Sequence, residues 1–328
     1  MAKVELVWNK GIAALCDRRI PDEFPEGKYR TVPALAGAMA SSRLPDNLIS
    51  DPSVYSGIER EIIWVRVSWL KSFVKQALPL IKGPVILATG DSDSCVPSEL
   101  PAEARAILKS PQIVHWFTQN YDGTMPSERI SRIPIGIDFH VQAEQSAWGE
   151  SRSTPAEQEN QLQTIAASLP NPRKRIPKVY VDFAWQRSLG LRNYRRFHPL
   201  RGTSFHETRR KTVKQVKGNA NIFLQAGPLP RSEMWRKRGE YAFVLSPHGM
   251  GLDCHRTWEA LALGHVVLAP SSSLDPLFAG LAVIPLSNWS DITTENLQRW
   301  LSVETLDAGK LTSKYWGDQM RSKLQGRC

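Results

Sequence analysis

Cysteine is scarce in this chain: Cys16, Cys95, Cys254 and Cys328 are all there are in 328 residues, and no two form a CxxC pair. That spacing argues against a zinc ribbon or a disulfide framework and fits a reducing compartment. Long apolar runs are missing as well. A membrane span needs roughly 18 apolar residues in a row, and the longest candidate, Ile62 to Ile81, is interrupted by Arg66, Lys71 and Lys75. The opening MAKVELVWNKG lacks an apolar stretch ending in a small-residue cleavage site, so no secretory leader is expected. The expected location is cytoplasmic, with room for peripheral contact with an anionic membrane.

Acidic residues are short in one region. Arg173 to Glu240 carries 18 Lys and Arg against 4 Asp and Glu, so the net charge of +10 is concentrated there and the remainder is slightly acidic. Such a cluster attracts phosphate, an anionic lipid surface or nucleic acid. Trp185, Tyr194 and Trp235 interleave with it and could stack on bases, which keeps a nucleic-acid-binding protein in view. No RRM, KH or OB signature accompanies them, so no nucleic acid is expected as a partner.

What is present is the composition of a globular protein, 41% hydrophobic and 23% charged, long enough for two domains. Val4 to Trp8 reads as an opening strand. Ile62, Ile63, Val67, Leu70, Val74 and Leu78 repeat at helical spacing and predict an amphipathic helix. Val85 to Thr89 reads as a buried strand running into the TGDSD loop. AEARAILKS then reads as a helix, IVHWFTQN as a strand, and ISRIPIGIDFH as a further strand and loop. The polar stretch Glu144 to Lys178, with its prolines and basic run, predicts an inter-domain linker. KVYVDFAW, NIFLQ, YAFVLSP, HVVLAP and LAVIPL read as a second strand series, with a helix over TSFHETRRKTVKQVKG and a terminal helix from about Thr294. Strands alternating with helices predict an α/β protein with two αβα halves whose strand-end loops meet in a cleft. Residues 1–172 form the first half and 173–304 the second. A helix over about 305–328 is expected to pack back on the first.

SPHGMGLDCHRTWEALALGHVVLA, Ser246 to Ala269, carries the chemistry. Gly249 and Gly251 allow a tight turn and a close approach to a ligand. Asp253 suits the N-cap of a helix of about ten residues that Gly264 stops. Unpaired N–H groups at its start favour a phosphate. Arg256 in the first turn can make a bidentate contact to phosphate oxygens. Glu259 lies on the same face, where it can meet ribose hydroxyls or simply pair with Arg256.

The same segment, followed by LAVIPLSNWSDIT and preceded by ILATGDSD, IVHWFTQN and RIPIGIDFH, resembles the exostosin-like glycosyltransferases. Met250 and the run from Gly264 to Val267 depart from that family's usual pattern and bear on substrate choice. The resemblance implies a GT-B fold, two Rossmann-like domains facing a central cleft. It implies a nucleotide-sugar donor, by default a UDP-sugar, and a glycan or lipid-linked glycan acceptor. It also implies a metal-independent, inverting transfer with no cofactor. The implied donor site is Ser246, His248, Gly249, Gly251, Asp253, His255, Arg256 and Glu259, with Phe183 and Trp185 stacking on the base. Asp93 or Asp91 is the expected base, because two nearby carboxylates can raise one pKa; Asp138 and His140 are the alternates. A catalytically inactive relative that binds a glycan or a membrane would carry the same motif.

Overall fold

The computed structural model describes residues 4–20, 52–183 and 204–325. Trp185 and Tyr194 lie outside them. Among the described residues, ten strands form two parallel five-stranded sheets. The first runs β1 (Arg18–Ile20), β2 (Ile62–Arg66), β3 (Val85–Gly90), β4 (Ile113–Thr118), β5 (Ile130–Arg132) in that spatial order. The second contains β6 (Ile176–Val181), β7 (Ile222–Leu224), β8 (Tyr241–Leu245), β9 (Val266–Pro270) and β10 (Val283–Leu286), ordered β10-β9-β8-β6-β7. All pairs are parallel. Both sheets are parallel and alternate with helices, as the α/β expectation has it.

Helices fill the connections: α1 (Asn9–Ala14), α2 (Pro101–Lys109), α3 (His140–Glu144), α4 (Pro155–Ser168), α5 (Ser204–Val216), α6 (Arg231–Arg238), α7 (His255–Ala262), α8 (Asp275–Phe278), α9 (Thr294–Trp300) and α10 (Ser313–Gln325). The step from β6 to β7 runs toward the sheet edge, while those from β7 to β8 and β8 to β9 run back. Right-handed crossovers therefore put α5 on one face and α6 and α7 on the other.

Side chains sort by the two-residue period of the strands. In β2, Ile63 and Val65 join an apolar cluster with Phe73, Ala104 and Ile107, while Ile62 and Trp64 face the opposite way. That opposite layer is shared by both sheets. It joins Ile62, Trp64, Ile86 and Phe117 to Trp235, Val244, Trp258 and Val267 in one buried cluster, with Trp316 and Met320 of α10 included. Helix α10 packs against α1, β3 and β4.

Three sequence expectations are corrected. Ile62–Arg66 is a strand, and a run of 3-10, α and π turns follows from Val67 to Leu80. A strand covered on both faces is apolar at every position, and Ile62 to Val65 are all buried; over so few residues that run also matches a helical period. The stretch Glu144 to Lys178 is not a plain linker. Its polar residues include a capping box between Thr154 and Glu157, which starts the 14-residue α4. Gln158 and Glu159 are buried, and Glu159 accepts hydrogen bonds from the Glu5 and Leu6 main chain at 2.9 and 2.5 Å. The opening segment makes only isolated bridges, Leu6 with Thr312 and Trp8 with Gly136, before α1 begins.

Candidate active site

The strand ends of both sheets meet where sequence reasoning places a cleft. Asn120, just past β4, ties them together. Its Oδ1 accepts from the Asp253 main chain at 2.8 Å and its Nδ2 donates to the Ser92 carbonyl at 2.9 Å. Gly251 makes room for this contact: a Cβ there would lie 2.5 Å from Asn120 Nδ2 and 2.9 Å from the Asp93 carbonyl. The glycine thus admits the other half of the protein rather than a ligand. Asp91 and Asn120 both hold left-handed backbone, φ 58° and 52°. Strain of about 1–3 kcal/mol per residue is typical of conformations that the surroundings enforce at functional sites.

Helix α7 spans eight residues, and its N-cap position is Cys254, without a side-chain cap. Asp253 sits one residue earlier and serves the interior instead. Its carboxylate accepts from Ile135 N at 2.7 Å, from Cys254 N at 2.8 Å and from the Trp258 indole at 3.0 Å. Burial pushes its carboxyl up to about 6 against those donors. Ser246 Oγ lies 2.9 Å from Thr257 Oγ1, and His248 Nδ1 lies 2.8 Å from the Leu252 carbonyl. These two brace the loop from within.

Two arginines converge on that loop. Arg209 of α5 donates to the His248 carbonyl at 3.0 Å, and its Nη2 lies 3.7 Å from Cys254 Sγ. Arg256 Nη1 lies 3.7 Å from the same sulfur, while its Nε donates to Asp182 at 2.9 Å. Both guanidiniums lie by the ring of Phe183, at 5.9 and 5.5 Å. Phe183 is itself buried in the core, so it supports the arginines. A Cβ on Gly249 would stand 3.2 Å from Arg209 Nη2, so this glycine keeps the guanidinium close to the loop. Among the described residues Arg209 makes no salt bridge, and Asp93 acts on it only at longer range. Burial holds its pKa below the ordinary arginine value.

Glu259 is committed elsewhere. Its two oxygens take Arg231 Nη2 at 2.8 Å and Arg238 Nη1 at 3.4 Å. Arg238 continues to Asp182 at 2.6 Å, and Asp182 to Arg256, so charges of alternating sign run Arg231, Glu259, Arg238, Asp182, Arg256. Burial alone would raise both acids. The neighbouring guanidiniums outweigh it and hold Asp182 and Glu259 below the usual carboxylate range. Arg256 therefore pairs with Asp182 rather than Glu259, and Glu259 acts as a strut behind the loop.

On the first sheet, Asp91 is clasped by Lys10 and Arg66. Burial raises its carboxyl, but these two cations bring it down to about 2. Asp93 is exposed beside it. In the same half, the Asp138 carboxylate accepts from the His140 and Val141 main chain at 3.1 Å each. Asp138 Oδ1 lies 3.0 Å from His140 Nδ1, and Oδ2 lies 4.0 Å from His255 Nε2. The two imidazoles stand edge to face at 5.8 Å, and His255 Nδ1 lies 2.6 Å from the Gly136 carbonyl. Burial pulls His140 down to about 4, against the upward pull of Asp138 and Asp91. His140 is thus neutral at pH 7, and its Nδ1 makes no hydrogen bond despite lying close to Asp138.

Among residues missed by sequence reasoning, Arg209 carried a signal, the basic cluster itself. Lys10 and Arg66 carried none, because only the packing of α1 and the order of β2 and β3 bring them to Asp91. The cluster also divides in space. Arg175, Arg231 and Arg238 are buried as structural cations, while Arg210, Lys211, Lys214 and Lys217 are exposed on or just past α5. Among the described residues, no group of three or more His, Cys, Asp or Glu side chains is placed to hold a metal ion, and no helix is long and apolar enough to cross a membrane.

No family model matches the chain, and no curated protein matches it. Among solved structures, an apo OtsA structure is similar at 12% identity, with 81% of this chain and 73% of that chain covered and a TM-score of 0.43. A UDP-forming trehalose-phosphate synthase from Burkholderia xenovorans is similar at 14% identity, covering 82% and 75%, with a TM-score of 0.41. The spinosyn rhamnosyltransferase SpnG, complexed with thymidine diphosphate, is similar at 12% identity, covering 80% and 69%, with a TM-score of 0.30.

Proposed function

We propose that this chain is a glycosyltransferase that holds the diphosphate of a nucleotide-sugar between Arg209, Arg256 and the amino end of α7. One observation carries the reading. Two guanidiniums from different elements point at one sulfur and one glycine loop, and among the described residues Arg209 makes no salt bridge, with Asp93 as its more distant counter-charge. Paired cations at a helix N-terminus are offset when a multiply charged anion enters. The order of loop, helix and strand, with its resemblance to exostosin-like enzymes, supports a nucleotide-sugar, by default UDP-linked, as that anion.

Transfer needs a base for the acceptor hydroxyl and stabilisation of the departing diphosphate. The arginines and the helix dipole supply the second without proton transfer. For the first, Asp91 is too acidic and too tightly held. His140, beside Asp138, is the alternate: it is neutral at pH 7, although burial makes it a weaker base than an ordinary imidazole. One displacement with one base inverts the anomeric carbon. No divalent metal enters this scheme, and the acceptor is a glycan or a lipid-linked glycan.

Thermal shift with UDP, GDP, CMP and dTDP tests the donor site, since ligand at 100 times its Kd adds about 2.7 kcal/mol to stability. UDP is expected to raise the melting temperature by several degrees in the native protein and much less in Arg209→Ala or Arg256→Ala. A shift unchanged in both variants refutes the assignment. Nucleotide release from UDP-sugars in the presence of EDTA tests the metal-free mechanism.

A further inference from the structure

Among the described residues, Trp148 is the one exposed aromatic side chain, 42% accessible. Its backbone is the less expected part. Ala147 and Glu150 exchange two main-chain hydrogen bonds of 3.0 Å, which closes a two-residue turn with Trp148 and Gly149 at its centre. Both central residues have positive φ, 49° and 75°, the geometry that favours Asn-Gly. A bulky side chain at the first of these positions is a genuine outlier.

The indole does not serve to complete a hydrogen-bond network. It lies over Arg231, whose guanidinium carbon is 4.5 Å from the ring centre; buried Trp235 covers the other face at 4.7 Å. In its own plane Arg231 already donates to the Asp138 carbonyl at 2.6 Å, to Gln158 at 2.7 Å and to Glu259 at 2.8 Å. The turn is fixed against α6 by the bond from Arg231 N to the Trp148 carbonyl at 3.0 Å. Helix α6 starts at the strand-end side of its sheet, so this ring sits at the same rim as the candidate active site. Gln145, Ser146 and Arg152, close to it in the chain, are exposed polar residues.

A lone flat apolar face edged by polar groups is too small for a protein interface, but it fits one pyranose, whose C–H face is apolar and whose edge is hydroxyl. We infer that Trp148 is an outer acceptor subsite that stacks on a sugar ring of a glycan chain. This rests on the glycosyltransferase reading. Arg231 stands between the indole and Asp138, so the stacked unit is not the reacting one; it holds the chain while another unit reaches His140.

The test compares native protein with Trp148→Asn and Trp148→Tyr on an array of pyranose oligosaccharides, alongside melting temperature and the UDP shift. The expected result is binding of a subset of glycans by native protein and at least a tenfold loss in Trp148→Asn. Partial retention in Trp148→Tyr, and a melting temperature in Trp148→Asn equal to or above native, complete the expectation, because Asn suits the turn. Loss of glycan binding without any UDP shift in native protein would leave the subsite standing and remove the transferase reading. The inference is overturned by any of four results: no glycan retained by native protein, binding unchanged in Trp148→Asn, a melting temperature several degrees lower in that variant, or loss of the UDP shift alone. The third would make the ring a structural cover, and the last would make it a nucleobase platform.

Discussion

Asn120 and Asp253 lie in loops that follow strands of different sheets, yet the Asn120 side chain accepts the Asp253 main-chain N–H at 2.8 Å. The contact depends on the missing side chain at Gly251, whose Cβ would sit 2.5 Å from Asn120 Nδ2. Gly251→Ala is expected to cost about 1–3 kcal/mol, as overpacked interiors do. Calorimetry of Gly251→Ala, Asn120→Ala and the double variant should show clear non-additivity, because the two residues share one contact.

Arg238 joins two buried acids, Asp182 and Glu259, and is itself 1% exposed. Its removal leaves both carboxylates short of a cation, so Arg238→Ala should cost about 3–5 kcal/mol by denaturant titration. Arg256→Ala should cost less, since Asp182 keeps Arg238. The expected split is a fold defect in the first variant and a nucleotide-binding defect in the second, of roughly ten- to a hundredfold in Kd if one charged hydrogen-bond pair is lost.

Acid stability should bear the mark of Asp91. Its carboxyl titrates near 2 in the folded chain against an ordinary 3.8, so the unfolded chain binds more protons between those values. The stabilisation is complete above about pH 4 and is lost as pH falls toward 2. Asp253 acts in the opposite sense. Raised to about 6, it contributes most below about pH 4 and loses that contribution as pH rises through 6. Melting temperature followed from pH 2 to 7 should lose part of its acid limb in Asp91→Asn, measured against the native curve.

If His140 takes the acceptor proton, the acid limb of kcat/KM should fall near pH 4, well below an ordinary histidine. His140→Gln should lower turnover by about 10²–10⁴-fold, the usual contribution of a general base. The UDP shift should survive in that variant. A limb near 6.5 would point instead to an unburied imidazole.

Much of the second half was legible in the sequence, because β8, its glycine loop, α7 and the stop at Gly264 follow one another locally. Gly264 has φ 78°, as a helix-ending glycine requires. What escaped was set by distance along the chain. Nothing near Glu259 announces Arg231 and Arg238, 28 and 21 residues away, which occupy its oxygens. Nothing near Asp91 announces Lys10, 81 residues away. Residue types and turn chemistry are local, whereas the pairing of buried charges is decided by which helices and strand ends the fold packs together. Ile62–Arg66 failed for a different reason, since a short apolar run satisfies two periodicities at once.

The apolar layer common to both sheets has a mechanical consequence. Swinging one half away from the other would wet Trp258, Trp235 and Phe117, which are at most 3% accessible. A wide clamshell motion is therefore costly, and donor and product must come and go through shifts of loops and side chains at the rim. The same continuity ties the fate of one half to the other on heating: the described structure should melt in a single endotherm, with no stage at which either sheet survives alone.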